Sequence, residues 1–364
     1  MSAVSDGRTG GVHEGHLGSG PMRVLVVGGT GVLGAAVVAD LTRHGHEVRV
    51  LSRHAPAGAS SSTGAASAAA AEWVAGAEWV AGDVRRPGFG LPPADAARLS
   101  EQTTHVVSCF GSVAVSEGPR TAVDLHLRGT QRLIEFARGC PRLKAVVHVS
   151  SVLVFGRCPG IVGNADLQVG QAFRNWYEYG KFLAETAWQE ADGVPARILR
   201  LGPVLGADGP VAPSTRSGIL TALPAALSGL PLPITGRGDF PCYVTDSTAA
   251  AQVVRAALEH EPVGGTWTWY DPAAPTLNAT LTALCSAWGV IPRIVAAPGL
   301  VSAVRLAAPV LGLSREVCDY LTPWPRLAAG ILDELPVPLP ASPPRYVERT
   351  GELLRAHSLG LVAA

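Results

Sequence analysis

Lysine is almost missing from this chain: of its 29 lysine and arginine residues, only Lys144 and Lys181 are lysines. Aspartate and glutamate also number 29, so the formal net charge is zero. With no basic excess, nucleic acid and anionic lipid are not expected partners. Cysteine is sparse and scattered, at Cys109, Cys140, Cys158, Cys242, Cys285 and Cys318, with no CxxC pair. That excludes zinc knuckles and dithiol redox motifs, and fits a cytoplasmic protein with reduced thiols. Long uninterrupted apolar runs are missing too. The longest near the C-terminus, Leu300 to Leu313, is broken by Arg305 and Pro309. It is too short to span a bilayer and reads as a buried helix, so no stable membrane insertion is expected. Residues 1–21 contain no apolar core, so they read as a disordered tail and not as a signal peptide or anchor. His13 and His16 lie in that tail, where nothing fixes a coordination geometry, and no metal is expected.

The 47% hydrophobic and 16% charged composition is that of a folded enzyme with a large core. A length of 364 residues predicts about two structural units. Arg23-Val24-Leu25-Val26-Val27 is β-branched and apolar, as a buried parallel strand is. A glycine-rich turn, a helix ending at Gly45 and a second strand, His46 to Leu51, complete one βαβ unit. Residues 55–71 are Ala/Ser/Gly-rich, and the sequence AEWVAG of Ala71–Gly76 repeats at once as Ala77–Gly82. A low-complexity insertion over about 55–76 is expected, with the second copy as the third strand because it leads into Asp83-Val84. Further strands are expected at His105–Cys109, Ala145–Val149 and Arg197–Arg200, with helices over about Val123–Arg138 and Trp176–Glu190. Strands alternating with helices predict an α/β fold with a doubly wound parallel sheet over residues 22–203. Residues 204–364 are expected to form a smaller, mixed substrate-binding region, with about 237–260 returning to the core.

Gly28, Gly31 and Gly34, spaced by two residues each, stand between the first strand and the first helix. Glycine there lets backbone N–H groups approach a pyrophosphate, and the helix N-terminus adds partial positive charge. Thr30, Val32 and Leu33 complete this loop. The second strand ends Leu51-Ser52-Arg53-His54, without the acidic residue that meets a free ribose 2′-hydroxyl. Ser52 and Arg53 suit a 2′-phosphate instead, a hydroxyl donor beside a charged fork.

Tyr177 and Lys181 are four residues apart, one helical turn. A phenol titrates near 10, and a neighbouring cation is expected to draw that value down towards the working range. In a chain this poor in lysine the pairing points to acid–base chemistry at Tyr177. Ser151 ends the preceding strand at the carboxyl edge, where a hydroxyl can hold a carbonyl towards Tyr177.

In order along the chain, Gly28–Gly34, Gly82-Asp83-Val84, Ser150–Gly156, Tyr177 with Lys181, Arg200–Pro203 and Asp239-Phe240 to Asp246 resemble the extended and atypical short-chain dehydrogenase/reductases. Within that group, Asn175–Glu178 and the region from Pro195 to Asp271 look most like bacterial thioester-reductase-like and fatty-acyl-reductase-like members. The resemblance implies a Rossmann-type fold and an NADP(H)-dependent enzyme, with NAD(H) the less favoured cofactor. It implies that Asp83 bonds the adenine amine, that Val84 packs on its ring, and that Cys109, Phe110 and Gly111 pass beside the cofactor. Tyr177 and Lys181 would lie at the nicotinamide ribose, and Pro203 and Val204 at the carboxamide. The expected reaction is reduction of a carbonyl on a small, fairly apolar molecule. A nucleotide-sugar epimerase or dehydratase with retained NAD, an acyl-thioester reductase using a separate donor, and a non-catalytic cofactor-binding protein are the alternatives. Helix-paired homodimers are common in the family. The chain departs from its pattern at three places: Cys109-Phe110 is bulkier than usual and is expected to narrow the pocket, Phe155 replaces a tyrosine, and Gly180 interrupts the active helix.

Overall fold

The computed structural model describes residues 20–53, 76–206, 218–296, 318–343 and 345–358. The expected N-terminal tail, the low-complexity insertion, most of the first AEWVAG copy and the run Leu300–Leu313 lie outside the described residues.

Seven strands make one parallel sheet: β1 (Arg23–Val27), β2 (Glu47–Ser52), β3 (Ala77–Ala81), β4 (His105–Ser108), β5 (Ala145–Ser151), β6 (Ala196–Leu201) and β7 (Thr266–Trp269). Their spatial order is β7-β6-β5-β4-β1-β2-β3, and each neighbouring pair is parallel. The third strand falls on the second AEWVAG copy, in register with β2 from Val48↔Ala77 to Ser52↔Ala81.

Because both faces are covered, the central strands are largely apolar and buried along their length, as in Val24–Val27 and Val106-Val107. Val24 and Val26 face one layer, where α1 (Val32–Arg43) brings Val37, Val38 and Leu41. Leu25 and Val27 face the other. That second layer contains Leu99 of α2 (Pro93–Gln102), Leu133 and Ile134 of α3 (Arg128–Arg138) and Trp188 of α4 (Trp176–Gln189). The helical run into α3 is not regular throughout: Ala122–Leu127 forms a π-helical turn, a feature that clusters at functional sites.

Beyond β6, α5 (Leu223–Leu227), α7 (Leu277–Ser286) and α8 (Tyr346–Ser358) build a separate apolar cluster with Val152 and Leu153. Between them the chain returns to the sheet through α6 (Ser247–Glu259), whose Arg255 Nε donates to Asp40 Oδ2 of α1 at 2.9 Å. The return continues into β7, so it runs to Trp269. Strand order reverses at β1, whose neighbours are β2 and β4, and the crevice for a ligand opens at the carboxyl ends there. Among the described residues no helix is long and apolar enough to cross a membrane.

Candidate active site

The loop after β1 and the loop after β4 touch. Gly28 has φ +88°, and a Cβ there would sit 2.6 Å from the Phe110 Cα and backbone N. At Gly34 a Cβ would meet the Gly28 carbonyl oxygen at 2.2 Å. Both positions therefore require glycine on steric grounds. Gly31 is the N-cap of α1, extended at φ −82°, with no side-chain cap and no acidic residue in the first turn. The first N–H groups of α1 are left for another acceptor. Thr30 is exposed, Val32 is half-buried, and Leu33 packs against the core beneath. This cradle fits the pyrophosphate of a dinucleotide.

At the far end of the crevice, Ser52 Oγ accepts from Trp79 Nε1 at 2.9 Å, and Arg53 is exposed beside it. Arg53 is close enough to act on Asp83, but Asp83 is held by Arg85. The Arg85 guanidinium donates to both carboxylate oxygens, at 2.6 to 3.1 Å, and its backbone N–H donates as well. That clasp holds the Asp83 carboxyl below its ordinary range. Asp83 is therefore already paired, and Arg53 is left as the exposed cation beside that ion pair. Val84 is buried, and with Phe110 it fills the space left by Gly129, where a Cβ would come 3.0 and 3.1 Å from the two side chains. The bulk of Phe110 is taken up in this layer, so this ring does not produce the narrowing expected of Cys109-Phe110.

Ser151, Tyr177 and Lys181 come together at the carboxyl end of β5. The Ser151 hydroxyl lies near enough to the Tyr177 phenol to favour its ionised form. The Ser151 oxygen also accepts from Leu153 N at 3.2 Å, capping the short helical turn Val152–Phe155. The serine thus has the local capping role and the site contact at once. Lys181 is 8% exposed; its Nζ donates to the Val149 carbonyl at 3.1 Å, and burial lowers its pKa. Tyr177 moves opposite to expectation. Burial pushes its pKa up to about 12, against the lowering effect of the Ser151 hydroxyl, while Glu117 and Glu178 push it further up. The lysine does not draw the phenol down here, and a neutral phenol is the form that can donate a proton.

Cys109 lies beside Lys181 as a thiol, its pKa pushed up to about 12 by burial. Gly111, at φ +155°, places its backbone over the same lysine, and a Cβ there would be 3.5 Å from Nζ. Pro203 and Val204 follow β6, both half-buried; the Pro203 carbonyl accepts from Thr245 N at 3.0 Å, and Val204 pairs with Thr245.

Two buried ion-pair networks fix the helix that carries Tyr177 and Lys181. Glu185 accepts from Ser150 Oγ at 2.6 Å and from Arg200 Nε at 2.8 Å, and both charged residues are 0% exposed. One turn before Lys181, Glu178 accepts from Arg174 N at 2.8 Å and from the Tyr320 hydroxyl at 3.2 Å. Asn175 caps the helix and donates to the same Tyr320 oxygen at 2.9 Å. Phe155 is fully buried, with the Arg200 guanidinium over its ring at 4.7 Å.

Gly180 is accounted for by a neighbour that sequence reasoning missed. A Cβ there would lie 2.8 Å from His126 Cδ2 and 3.0 Å from Cγ, so the glycine admits the imidazole of the π-helical turn. His126 packs edge-on to Tyr177, ring centroids 6.2 Å apart, and its Nε2 is 3.0 Å from Glu117 Oε1. The glycine within an otherwise good helix was the one available signal for this contact. Arg85, Glu117, Glu185 and Arg200 gave none, since each resembles an ordinary charged residue until its partner is placed.

An NAD-binding family model described as "Male sterility protein" matches residues 26–256, more than half of the chain. A dTDP-6-deoxy-L-talose 4-dehydrogenase (NAD(P)(+)) from Kitasatospora kifunensis is 30% identical over 201 residues, which is 52% of this chain and 55% of that relative. Among solved structures, the terminal R domain from the myxalamid PKS-NRPS biosynthetic pathway superposes with a TM-score of 0.70 at 20% identity, covering 96% of this chain and 94% of that one. A dTDP-glucose 4,6-dehydratase, DesIV from Streptomyces venezuelae, gives 0.66 at 21% identity, over 92% and 97% of the two chains. These two likenesses are of fold.

Proposed function

The chain belongs to the NAD-binding family described as male sterility proteins, within the extended short-chain dehydrogenase/reductase class of NAD(P)-dependent enzymes, and from that premise we propose that it reduces a carbonyl with Tyr177 as the acid. The observation that carries this reading is the convergence of Tyr177 and Lys181, whose Nζ donates to the Val149 carbonyl at 3.1 Å, on Ser151 at the carboxyl end of β5, the edge reached by the glycine cradle. Bound NADPH would supply the hydride. Ser151 holds the substrate carbonyl oxygen against the phenol, which fixes the orientation of the reacting centre. Tyr177, neutral because burial holds its pKa high, gives its proton to that oxygen as the carbonyl carbon becomes the alcohol carbon. Lys181 stands one turn away to steady the phenolate left behind.

NADPH is favoured over NADH because Arg53 stands exposed at the end of β2 and no acidic side chain follows Ser52. Asp83 is acidic but already neutralised by Arg85. A fairly apolar substrate is favoured by the apolar cluster containing Val152 and Leu153 against which Tyr177 packs. The six cysteines are all free thiols, which supports a reducing, cytoplasmic setting.

The test is NADPH absorbance at 340 nm against a panel of apolar ketones, aldehydes and acyl thioesters. Net oxidation, abolished in Tyr177→Phe while NADPH affinity holds, is the expected result. Oxidation by thioesters alone would move the reading to acyl-thioester reduction. Turnover of a nucleotide sugar with no net change at 340 nm would move it to an epimerase or dehydratase. Full activity in Tyr177→Phe would remove the acid role.

A further inference from the structure

Each reduction takes a proton from Tyr177, and that proton has to be replaced at a half-buried group packed on the cluster of Val152 and Leu153. The side chains around it are unequal in charge. Glu185 is neutralised by Arg200, and Glu178 is paired with Arg174. Glu117 has no such cation: among the described residues its one ion pair is with His126, and both side chains are nearly sealed, at 3% and 1% exposure. Neither carboxylate oxygen of Glu117 has a hydrogen bond of good geometry. A buried carboxylate served by nothing but an imidazole is costly unless a proton is shared between them.

His126 faces two ways. Its Nε2 meets Glu117 at 3.0 Å, while its Cε1–Nδ1 edge lies against Gly111, Cε1 nearest. Nδ1 and the Lys181 Nζ each lie 3.5 Å from the one point where a Gly111 Cβ would sit. Two glycines, Gly111 and Gly180, make the room that brings this ring between Glu117 and the lysine. The groups facing His126 are Glu117 from the loop after β4, Tyr177 and Lys181 from α4, and His148 from β5. Burial lowers the pKa of His126, Lys181 lowers it further, and Glu117 raises it. On the outer side, Ser116 and Gly118 are exposed, so Glu117 stands one layer beneath the surface.

We propose that Glu117 and His126 form a buried proton-relay pair that returns to Tyr177, by way of Lys181, the proton consumed in each reduction. The inference rests on the reading of Tyr177 as the acid. A proton from solvent reaches the Glu117 carboxylate and enters the imidazole at Nε2. The imidazole releases one from Nδ1 towards Lys181, and the ammonium passes one to the phenolate. One proton enters and one is delivered, and the imidazole is left as the Nε2–H tautomer, which exchanges back to Nδ1–H before the next cycle.

The test uses the full chain with NADPH and whichever carbonyl the panel identifies, comparing the parent with His126→Asn and Glu117→Gln. Asparagine keeps a polar side chain and cannot carry a proton. We expect kcat to fall about tenfold at pH 8 and less at pH 6, where bulk protons are more abundant, with KM unchanged and a larger solvent deuterium isotope effect. His126→Gln repeats the comparison should asparagine disturb folding, with unaltered NADPH affinity as the check. Independently of turnover, histidine-labelled NMR of the cofactor-free protein should show His126 titrating at lower pH in Glu117→Gln. A parent that turns over, with variants of the same pH profile and isotope effect, overturns the relay and leaves the reductase reading standing. A parent that oxidises no NADPH with any carbonyl overturns both.

Discussion

Replacing Gly180 by alanine sets two opposed effects against each other at one buried helical position. Alanine is favoured over glycine inside a helix by roughly 1 kcal/mol, so the substitution taken alone should stabilise α4. In this structure the new methyl would lie 2.8 and 3.0 Å from two His126 ring carbons, and 3.3 Å from the Ala122 Cα. The imidazole cannot swing away freely, because Glu117 holds one edge and Gly111 lies against the other. Overpacking of this kind typically costs about 1–3 kcal/mol. The net expectation is a loss of roughly 1 kcal/mol, read as a lower urea midpoint with an unchanged slope. In a His126→Ala background the ring is gone and the helix preference remains, so the same alanine should become neutral or stabilising. The coupling between the two positions should then be about 1 kcal/mol or more. Gly180→Ala stabilising the parent, by the same amount in both backgrounds, would refute the packing of the imidazole against this glycine.

Three further outcomes are expected. Arg53→Asp should weaken NADPH binding at least about tenfold more than NADH binding by fluorescence titration, since it removes a cation and adds an anion; equal losses would remove the 2′-phosphate contact. Glu185→Gln should cost about 3–5 kcal/mol in denaturant unfolding by leaving Arg200 buried without its partner, whereas a neutral outcome would mean water reaches the pair. His105, 7% exposed, has its pKa lowered to about 4 by burial and by Lys144. The unfolded chain takes up that proton first, so stability should fall as the pH drops from 6.5 towards 4, by about 3 kcal/mol in all. His105→Gln should flatten that part of the stability profile, measured by urea unfolding across the range, and an identical profile would discount the burial.

The strands at the centre of the sheet were readable because a parallel strand buried on both faces leaves an apolar run, unbroken in Val24–Val27 and interrupted only by His148 in Ala145–Val149. Thr266–Trp269 was not, because its threonines and tryptophans carry no such run and nothing local says that it joins β6. The pairing of Tyr177 with Lys181 was visible because lysine is so scarce. What surrounds that pair was not, because it is assembled from distant segments: Arg200 meets Glu185, Tyr320 meets Glu178, and Glu117 meets His126 from a loop. The direction of the Tyr177 shift was misread for the same reason. A turn of helix predicts a neighbouring charge, but burial depends on every element packed around the ring.

Tyr320 joins the site from about 140 residues downstream of Glu178, bonding both that carboxylate and the capping Asn175. During synthesis the ribosome therefore finishes the whole nucleotide-binding sheet well before the helix bearing Tyr177 acquires its last anchor.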